Sequence, residues 1–598
     1  MDRKKIIVSI ISGISIAVLF GAANAYVGLK AGITISASIP AAVISVGIFK
    51  FLLRKSDAKY IMLTTTIGAT GEAVAAGLIF TIPALYMWAR EGDIVIPNVF
   101  YIAFAAALGG ILGILFVQPL KKNLLIQEKN VLIFPESIAS ANVIRSGISK
   151  ENDTNLILQG IAISSGFAFI SQVLKVIPDN IKYTFSSMKN ASVGINILPS
   201  LIGVGYISGY KVSSCFFAGG IIGWIILIPI ITVVGGDNII FPSSLPIFQM
   251  SAEDVWNCYI KYIGAGAVAA GGIISLVKLF PGMIRNFGKS IKALQHTTIK
   301  YNAFIAIGCI FLCAIIINYY GFGIWGIGII LVFGFFFSIV SARMAGMLGS
   351  SNNPVSGIAL ITLAIASIVL SISENEEQII YLLAIIIGAT VCVAASLAAE
   401  TSQVLKTGML LGGPWKIQEV GMILGVIISS LSISCILTLM DKAWGFGTEN
   451  LTAPQAGMMK MIVESTVNSN LPWTFILVGV AFAIVLEILK IPVLPVSVGL
   501  YLPISMSSCI FLGGILAKIV ENRKEEQERG LLLGSGLIVG EGIIGILSAI
   551  FAVFSIGGGT LADQLDVSEH FSLGMLGSFL GVIILVLIFI LGCKRRIR

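Results

Sequence analysis

The chain is poor in the residue types that metal centres, redox sites and soluble domains require. It has two histidines, and its eight cysteines form no Cys-x-x-Cys pair, so neither a structural zinc site nor a redox dithiol is expected. Charged residues make up 11% of the chain, against about 25% in soluble domains. A glycine-rich phosphate loop ending in Lys-Ser or Lys-Thr is also missing, so the chain has no ATP-binding motif of its own. We expect no cofactor and no bound metal.

Hydrophobic residues, in contrast, are abundant. They make up 57% of the 598 residues, which at about 20 residues for each crossing sets a ceiling of roughly seventeen transmembrane helices. The net charge is +8, but the basic residues sit in short clusters beside apolar runs, as in membrane proteins, and not along one groove as in proteins that bind nucleic acid. The composition therefore predicts an all-α polytopic membrane protein that lies in the lipid bilayer and has no nucleic-acid partner.

Clusters of basic residues alternate along the chain with clusters of acidic residues. Because Lys and Arg flank the cytoplasmic ends of membrane helices, the basic clusters place both termini in the cytoplasm, with an even number of crossings, and leave the acidic loops outside. We therefore expect a multi-pass protein of the cell (plasma) membrane. The basic clusters are Arg3–Lys5, Arg54–Lys59, Lys121–Lys129, Arg285–Lys300, Arg523–Arg529 and Lys594–Arg598.

Fourteen apolar runs are long enough to cross the bilayer. The first follows a basic N-terminus but is longer than the core of a signal peptide, so it is counted as a transmembrane helix. The runs cover residues 6–29, 32–53, 60–88, 98–120, 153–175, 258–281, 302–319, 323–342, 354–372, 378–399, 417–440, 471–489, 530–553 and 571–593.

Four further apolar stretches are interrupted by proline and glycine. They cover residues 131–148, 192–234, 451–467 and 491–518. The charge pattern requires each stretch to return to the side of the membrane that it left, as re-entrant hairpins or pairs of short helices do. Such irregular backbone is tolerated at membrane depth only where protein or a water-filled cavity surrounds it. We therefore expect about 14–16 transmembrane helices, with a pathway beside the broken ones.

Motifs of the first half of the chain recur in the same order in the second half. The matching pairs are Ala25–Leu29 with Arg343–Met347, Phe134–Glu136 with Ala453–Gln455, Ser213–Gly220 with Ser507–Gly514, and Ala270–Ile274 with Gly540–Ile544. Four matches in one order indicate an internal duplication. Each copy holds an even number of crossings and one extra helix separates them, so the second copy is expected to be inverted. We predict a first repeat over residues 1–300 and, over residues 301–598, a linking helix, the second repeat and a C-terminal helix.

Both this architecture and individual motifs point to a transporter. Inverted repeats with interrupted helices are typical of secondary transporters, which hold a substrate near the bilayer midplane and alternate access to it. The sequence is also similar to the oligopeptide transporter family, in particular to its bacterial and yellow-stripe-like branch. The similar segments are Asn24–Thr34 with Ser38–Ala42, Ser351–Gly357, Leu405–Gly408 with Gly413–Trp415, Ala453–Ala456 and Gly536–Gly542. The resemblance implies about sixteen helices and a proton-coupled symporter of peptides, peptide derivatives or metal chelates, and it points to Asn24 and Tyr26 as substrate contacts.

Intramembrane carboxylates are the candidates for proton coupling. A charge at the bilayer centre costs about 2.5 to 3.5 kcal/mol or more, so a glutamate in that position is expected to have a function. Burial favours its neutral form, and an ammonium group on a substrate would favour ionisation again. Each glutamate could instead accept hydrogen bonds that only hold the helices together. The candidates for proton coupling are Glu72, Glu400 and Glu541, and a fourth intramembrane glutamate, Glu136, is assigned to substrate binding.

Polar residues in the broken segments are the other candidates for substrate binding. Asn352 and Asn353 precede Pro354, so they start a helix whose free N–H groups can receive a carboxylate, although ordinary capping explains them equally well. Amide and hydroxyl side chains at such positions can bind a peptide backbone or pair helices with each other. These further candidates are Gln403, Gln455 and Tyr501.

The sequence thus predicts a proton-coupled symporter of a small peptide-like or chelate substrate, and not an enzyme. A secondary carrier of another small polar solute, such as a nucleobase or an organic anion, is the main alternative. A membrane-embedded enzyme is disfavoured because no Ser/His pair, metal cluster or catalytic loop is visible. Besides substrate, protons and lipid, a homo-oligomeric partner is left open.

Overall fold

The computed structural model describes residues 3–53, 57–128, 132–149, 152–185, 190–243, 245–296, 302–319, 321–350, 353–374, 376–467, 472–556, 559–568 and 571–594. The helices of this part of the chain are α1 (Arg3–Ala31), α2 (Ser38–Leu53), α3 (Ala58–Ile79), α4 (Pro83–Glu91), α5 (Val99–Val117), α6 (Pro135–Ser149), α7 (Asn152–Ala168), α8 (Pro199–Ile221), α9 (Ile228–Gly235), α10 (Ala252–Val255), α11 (Lys261–His296), α12 (Asn302–Tyr319), α13 (Gly323–Leu348), α14 (Val355–Ser373), α15 (Glu377–Leu410), α16 (Trp415–Trp444), α17 (Pro454–Val467), α18 (Trp473–Ile488), α19 (Val493–Tyr501), α20 (Ile504–Val520), α21 (Lys524–Val553), α22 (Leu561–Leu565) and α23 (Gly574–Lys594).

Shorter elements connect some of these helices. Two are 3₁₀ turns, Gln118–Leu120 and Ile247–Gln249. Four are π-helical: Asn123–Gln127, Phe169–Val173, Ile222–Leu227 and Trp256–Ile260. The strands form two antiparallel hairpins, β1 (Asn180–Phe185) with β2 (Ala191–Asn196), and β3 (Ser555–Ile556) with β4 (Gly559–Thr560).

Helices of membrane-spanning length confirm the prediction of an all-α polytopic membrane protein. Within the described residues, twelve helical stretches are long and apolar enough to cross a bilayer, and three more apolar helices are shorter. Eleven of the fourteen predicted spans coincide with the twelve. The predicted spans at 32–53 and 471–489 correspond to the shorter helices α2 and α18, and the span at 302–319 corresponds to α12.

Helices α3 and α15 form the centre of the bundle and are buried on nearly every side. A helix that is apolar around its whole circumference is expected to be surrounded by protein. Small residues on the neighbouring helix α5 bring its backbone close to α15. A Cβ atom at Gly109 would lie 2.3 Å from the Thr390 carbonyl oxygen, and one at Gly113 would lie 2.2 Å from that of Ala394. This Gly-x-x-x-Gly packing is typical of membrane helices.

The four stretches with interrupted sequence contain short or broken helices. Residues 131–148 and 451–467 contain the short helices α6 and α17. In residues 192–234, α8 is broken at Gly209, whose φ is 80°. Residues 491–518 form two short helices, α19 and α20, that are separated by Leu502 and Pro503.

The broken helix α8 and the pair α19–α20 make reciprocal contacts. A Cβ atom at Gly205 of α8 would lie 1.8 Å from a backbone oxygen of α20, and one at Gly499 of α19 would lie 2.0 Å from a backbone oxygen of α8. In both units a serine eight residues further on donates a hydrogen bond to the glycine carbonyl, Ser213 at 2.9 Å and Ser507 at 3.5 Å. The two segments that share a motif in the sequence therefore share local geometry and face each other.

The structure differs from the sequence analysis at two places. The hairpin β1–β2 was not predicted, because its six-residue strands are short and one of them fell within the stretch assigned to broken membrane helix. In addition, Pro199–Gly235 is by length and composition a candidate membrane span, whereas the charge pattern predicted a segment that returns to its own side.

The glycine contacts predict that Gly205→Ala destabilises the protein. The added methyl group would overlap backbone, which cannot move aside as a side chain can, and overpacking of this kind costs about 1–3 kcal/mol. We expect the thermal unfolding temperature in detergent to fall by several degrees for Gly205→Ala and for Gly499→Ala. Gly166 of α7 is the matched control, because a Cβ atom there meets no atom within 4 Å. Equal stability of Gly205→Ala and Gly166→Ala would contradict the close packing of α8 and α20.

Candidate functional site

The candidate site is built around residues 32–37, which separate α1 from α2 inside the bundle and are called the first break. Gly32 ends α1 with a φ of 72°, in the left-handed region that favours glycine. The side chain of Asn24, which is 3% exposed, holds the segment in place. Its Oδ1 accepts a hydrogen bond from the Ile35 N–H (2.9 Å), and its Nδ2 donates to the Phe20 carbonyl (3.1 Å).

Four side chains from four different helices converge on the first break. Each is tied to residue 32, 36, 37 or 38 by a hydrogen bond. In chain order these bonds run from Gln455 Nε2 to the Gly32 carbonyl (3.3 Å), from Ser36 Oγ to Glu136 Oε2 (3.3 Å), from the Ala37 N–H to Glu72 Oε2 (2.7 Å), and from Ser38 Oγ to Glu400 Oε1 (3.0 Å). Three of the four predicted glutamates thus bind residues 36–38, at the end of the first break and the start of α2.

A second break separates α13 from α14 at residues 349–354, of which 349, 350, 353 and 354 are described. Glu136 connects it to the first break, because its Oε2 also accepts hydrogen bonds from the N–H (3.1 Å) and the hydroxyl (2.7 Å) of Ser350. Gln403 Nε2 donates to the same oxygen at 3.3 Å. Glu136 is therefore a hub that fixes the two breaks relative to each other.

The two breaks are contacted in equivalent ways by α6 and α17. Phe134 and Ala453 precede the prolines that start these helices, and both have positive φ angles, 56° and 42°, which residues with side chains rarely adopt. The Phe134 N–H donates to the Gly346 carbonyl of α13, and the Ala453 N–H donates to the Leu29 carbonyl of α1, both at 2.8 Å. Each short helix is thereby attached to the end of the helix that is broken in the other half of the chain.

A cavity of about 1390 Å³ opens beside the two breaks. It exceeds the roughly 300–1,000 Å³ of typical small-molecule pockets. Five of the predicted site residues line it: Glu72, Glu136, Asn353, Glu400 and Gln455. The cavity also reaches the first turns of α21, where Glu525, Glu528 and Arg529 contribute to its wall. Within the described part of the chain, no group of three or more His, Cys, Asp and Glu side chains is arranged to hold a metal ion.

Comparison with known proteins identifies the family of this cavity-containing bundle. The sequence profile of the family described as "OPT oligopeptide transporter protein" matches residues 7–552. The chain belongs to this family. It is similar to a protein of Haemophilus influenzae named for oligopeptide transport, with 27% identity over 96% of this chain and 99% of the relative. It is also similar to a protein of Oryza sativa subsp. japonica named as a metal-nicotianamine transporter, with 22% identity over 77% of this chain and 72% of the relative.

Members of the OPT family are transporters, so this chain is a multi-pass membrane protein of a transporter family and not an enzyme. The resemblance found in the sequence is therefore confirmed.

Two predicted residues of this OPT chain, Tyr26 and Glu541, lie outside the lining of the cavity in a separate buried network. Lys30 Nζ donates to the Tyr26 hydroxyl (2.7 Å), which donates to Gln172 Oε1 (3.3 Å). Gln172 Nε2 donates to Glu541 Oε1 (3.3 Å), and the Ser200 N–H at the start of α8 donates to Glu541 Oε2 (2.7 Å). Glu541 thus caps the broken helix α8 much as Glu72 caps α2.

Three further predicted residues, Asn24, Gln403 and Tyr501, also lie away from the lining. Asn24 binds the first break through the Ile35 N–H. Gln403 Oε1 accepts a hydrogen bond from Ser137 Oγ at 2.5 Å. Tyr501 is 5% exposed, and its hydroxyl lies 2.6 Å from where a Cβ atom at Gly457 would be. Asn352 lies outside the described residues. A direct substrate contact by these four side chains stays a prediction.

Sequence reasoning did not single out several polar residues that organise the site. Ser36, Ser38 and Ser350 donate to the carboxylates at the breaks, and Lys30 begins the network that reaches Glu541. The available signal was their position, since the serines stand beside Pro40 and Pro354 in segments that interrupt apolar runs. A lysine that closes an apolar helix was also visible, but such a residue usually extends its amine to the membrane surface.

The hydrogen bonds of Glu136 predict different effects for two substitutions. Glu136→Ala leaves the Ser350 N–H without its acceptor, and an unsatisfied buried donor costs about 1–3 kcal/mol. Glu136→Gln keeps one acceptor oxygen in the same place. We expect thermal unfolding in detergent to show a clear loss of stability for Glu136→Ala and a smaller loss for Glu136→Gln. Losses of the same size would show that Glu136 does not organise the two breaks through its acceptor oxygen.

Proposed function

We propose that the chain is a proton-coupled symporter that imports small peptides, peptide derivatives or metal chelates of amino-acid-like ligands by alternating access. The observation that supports this most directly is the large cavity at the two broken helices, lined by three intramembrane glutamates in a member of the OPT family. The names of the relatives, which refer to oligopeptides and to metal-nicotianamine, support the same classes of substrate. The volume of the cavity suits a solute larger than one amino acid.

We propose that the cavity of this structure is open to the cytoplasm. The basic cluster Arg523–Arg529 places the start of α21 on the cytoplasmic side, with both termini, and the cavity extends to this point. At the proposed outer end, Lys460 of α17 pairs with Glu91 (2.8 Å) and with Glu464 (2.7 Å). Trp88 of α4 donates to the same Glu464 at 2.8 Å. These contacts support closure of the outer side by α4 and α17.

The reciprocal contacts support alternating access by two inverted repeats, which we place at residues 1–300 and within 301–598. Segments with matching sequence, α8 with α19–α20 and α6 with α17, occupy equivalent environments on opposite halves of the chain. Two halves with the same local geometry can exchange their conformations at little net cost. Such an exchange would close the cytoplasmic opening and create one on the other side.

Glu72 offers a route from protonation to movement of a helix. Its carboxylate accepts the Ala37 N–H at the start of α2, where an anion is stabilised by the free N–H groups and the helix dipole. A hydrogen bond to an ionised acceptor is about twice as strong as one to a neutral acceptor. Protonation of Glu72 would therefore weaken the link between α3 and the start of α2. Glu400 accepts a hydrogen bond from the hydroxyl of the adjacent Ser38, and Glu541 accepts one from the Ser200 N–H at the start of α8.

The charged residues that line the cavity favour some classes of substrate over others. Five carboxylates and one guanidinium line it within the described residues, so an organic anion would enter a region of its own sign. A secondary carrier of anions is therefore disfavoured. A nucleobase carrier remains the alternative, and it would bind uracil or adenine in place of peptides.

Uptake into proteoliposomes tests the proposal. With a radiolabelled neutral, a cationic and an anionic tripeptide, we expect uptake of at least one to rise several-fold when the outside is made more acidic than the inside. Glu72→Gln and Glu400→Gln should abolish this response, because glutamine cannot take up the proton, while exchange at equal pH continues. Glu377→Gln is the control, since this exposed acid begins the helix that carries Glu400. Uptake that ignores the gradient in the unmodified protein would contradict proton coupling.

A further inference from the structure

The described residues that line the cavity include more acids than bases. Glu72, Glu136 and Glu400 lie in its interior, Glu525 and Glu528 lie exposed at the start of α21, and Arg529 is the one basic residue among its described lining residues. In a cleft with walls of low dielectric constant, charges of one sign raise the local concentration of ions of the opposite sign. The acids at the start of α21 would attract such ions, and the acids at the breaks would hold them.

A second feature of the cavity is independent of the charges. Gln455 lines it and is 6% exposed. Its Nε2 donates a hydrogen bond to the Gly32 carbonyl, while its Oε1 accepts none within the described part of the chain. A buried acceptor without a donor costs free energy, so such an atom at the wall of a cavity is well placed to receive an N–H group from a ligand.

The equivalent position in the other half of the chain behaves differently. Glu136 and Gln455 each follow the proline at the start of a short helix, after a residue with positive φ. Glu136 already accepts hydrogen bonds from Ser36, Ser350 and Gln403. Glu136 is therefore a positioning residue, whereas Oε1 of Gln455 accepts no hydrogen bond from a described residue. Of the two equivalent positions, Gln455 is thus the one with an acceptor for a hydrogen bond from a ligand.

Gln455 and two of the acids bind the same short segment of the chain. Gln455 contacts residue 32, and Glu72 and Glu400 contact residues 37 and 38. The Cα atoms of residues 32 and 38 can be at most about 21 Å apart, and all three side chains belong to the lining of the one cavity. A ligand with N–H groups and positive charge matches all three.

We propose that the cavity selects solutes of net positive charge, with an ammonium or guanidinium group donating to Gln455 Oε1 and the excess charge balanced by Glu72 and Glu400. This inference rests on the proposed function and deepens it, because it assigns the charge class of the substrate. It also names Gln455 as the residue that recognises the N–H donor.

The test measures binding to the purified full-length protein in detergent by thermal stabilisation, since a ligand that binds the folded state raises the unfolding temperature. The probes are Ala-Lys-Ala, Ala-Ala-Ala, Ala-Glu-Ala and the diamine putrescine. We expect Ala-Lys-Ala to bind at least tenfold more tightly than Ala-Glu-Ala. The difference should shrink as salt is raised, because mobile ions screen the acids at the start of α21.

Two variants of Gln455 make the assignment specific. Gln455→Leu removes the acceptor and should weaken binding of Ala-Lys-Ala by about tenfold, as expected for loss of a hydrogen bond to a charged group. Gln455→Glu loses the same donor to the Gly32 carbonyl as Gln455→Leu but keeps an acceptor and adds a charge, so it should bind Ala-Lys-Ala at least tenfold more tightly than Gln455→Leu. Unchanged binding by Gln455→Leu, or binding by Gln455→Glu that is no tighter than that by Gln455→Leu, would overturn the role of Gln455.

The probes also separate this inference from the proposed function. If Ala-Glu-Ala binds as tightly as Ala-Lys-Ala, the charge class is wrong while peptide binding stands. If putrescine binds and all three peptides fail, selection of cations stands while the proposed peptide substrate is wrong. Failure of all four probes to bind would overturn both.

Discussion

The interruption of α1 inside the bundle is the constraint on which the rest of the site depends. Lipid offers no partner to free backbone groups, so each N–H and carbonyl exposed by the break needs a partner from the protein or from water in the cavity. Asn24 accepts from Ile35, Glu72 accepts from Ala37, and Gln455 donates to Gly32. The polar residues that line the cavity are thus partly determined by the backbone that they stabilise. This explains how glutamates persist in a region where an unpaired charge costs several kcal/mol.

Close packing of the surrounding helices keeps these partners in place. The helices that carry Glu72 and Glu400 are buried on nearly every side, and glycines on α5 let its backbone approach that of α15. Apart from the side that faces the cavity, close packing leaves side chains on these helices few alternative rotamers. Glu72 and Glu400 therefore lie on closely packed helices at the centre of the bundle. The short helices α2, α6 and α17 pack around these central helices and contact the site from their ends. In the proposed mechanism, rigid acceptors combined with short helices would let a change of protonation shift the end of a helix and not only the acceptor side chain.

Composition and apolar runs were sufficient to predict the class of fold, because the length of a membrane helix is fixed by the thickness of the bilayer. Proline and glycine located the broken segments, and the shared motifs at Ser213 and Ser507 correspond to real equivalence in space. The sequence could not predict which helices meet. Glu136 and Ser350 are separated by 214 positions and Glu400 and Ser38 by 362, and periodicity along one helix carries no information on such distant pairs. The π-helical segment Phe169–Val173, which carries Gln172, likewise has no counterpart in simple helical periodicity.

In the proposed transporter, the difference between the two equivalent positions Glu136 and Gln455 would let two halves with shared local geometry support a directional function. Two identical halves would present the same groups to both sides of the membrane, so a substrate and a proton would meet equivalent partners in either orientation. Here the carboxylate of Glu136 is used to join the two breaks, whereas Oε1 of Gln455, a residue of the cavity lining, accepts no hydrogen bond within the described part of the chain. The backbone geometry around the two residues is shared, as the positive φ angles of Phe134 and Ala453 show. In the proposed mechanism, this one difference between two equivalent positions would separate a structural role from a binding role without altering the backbone geometry that the positions share.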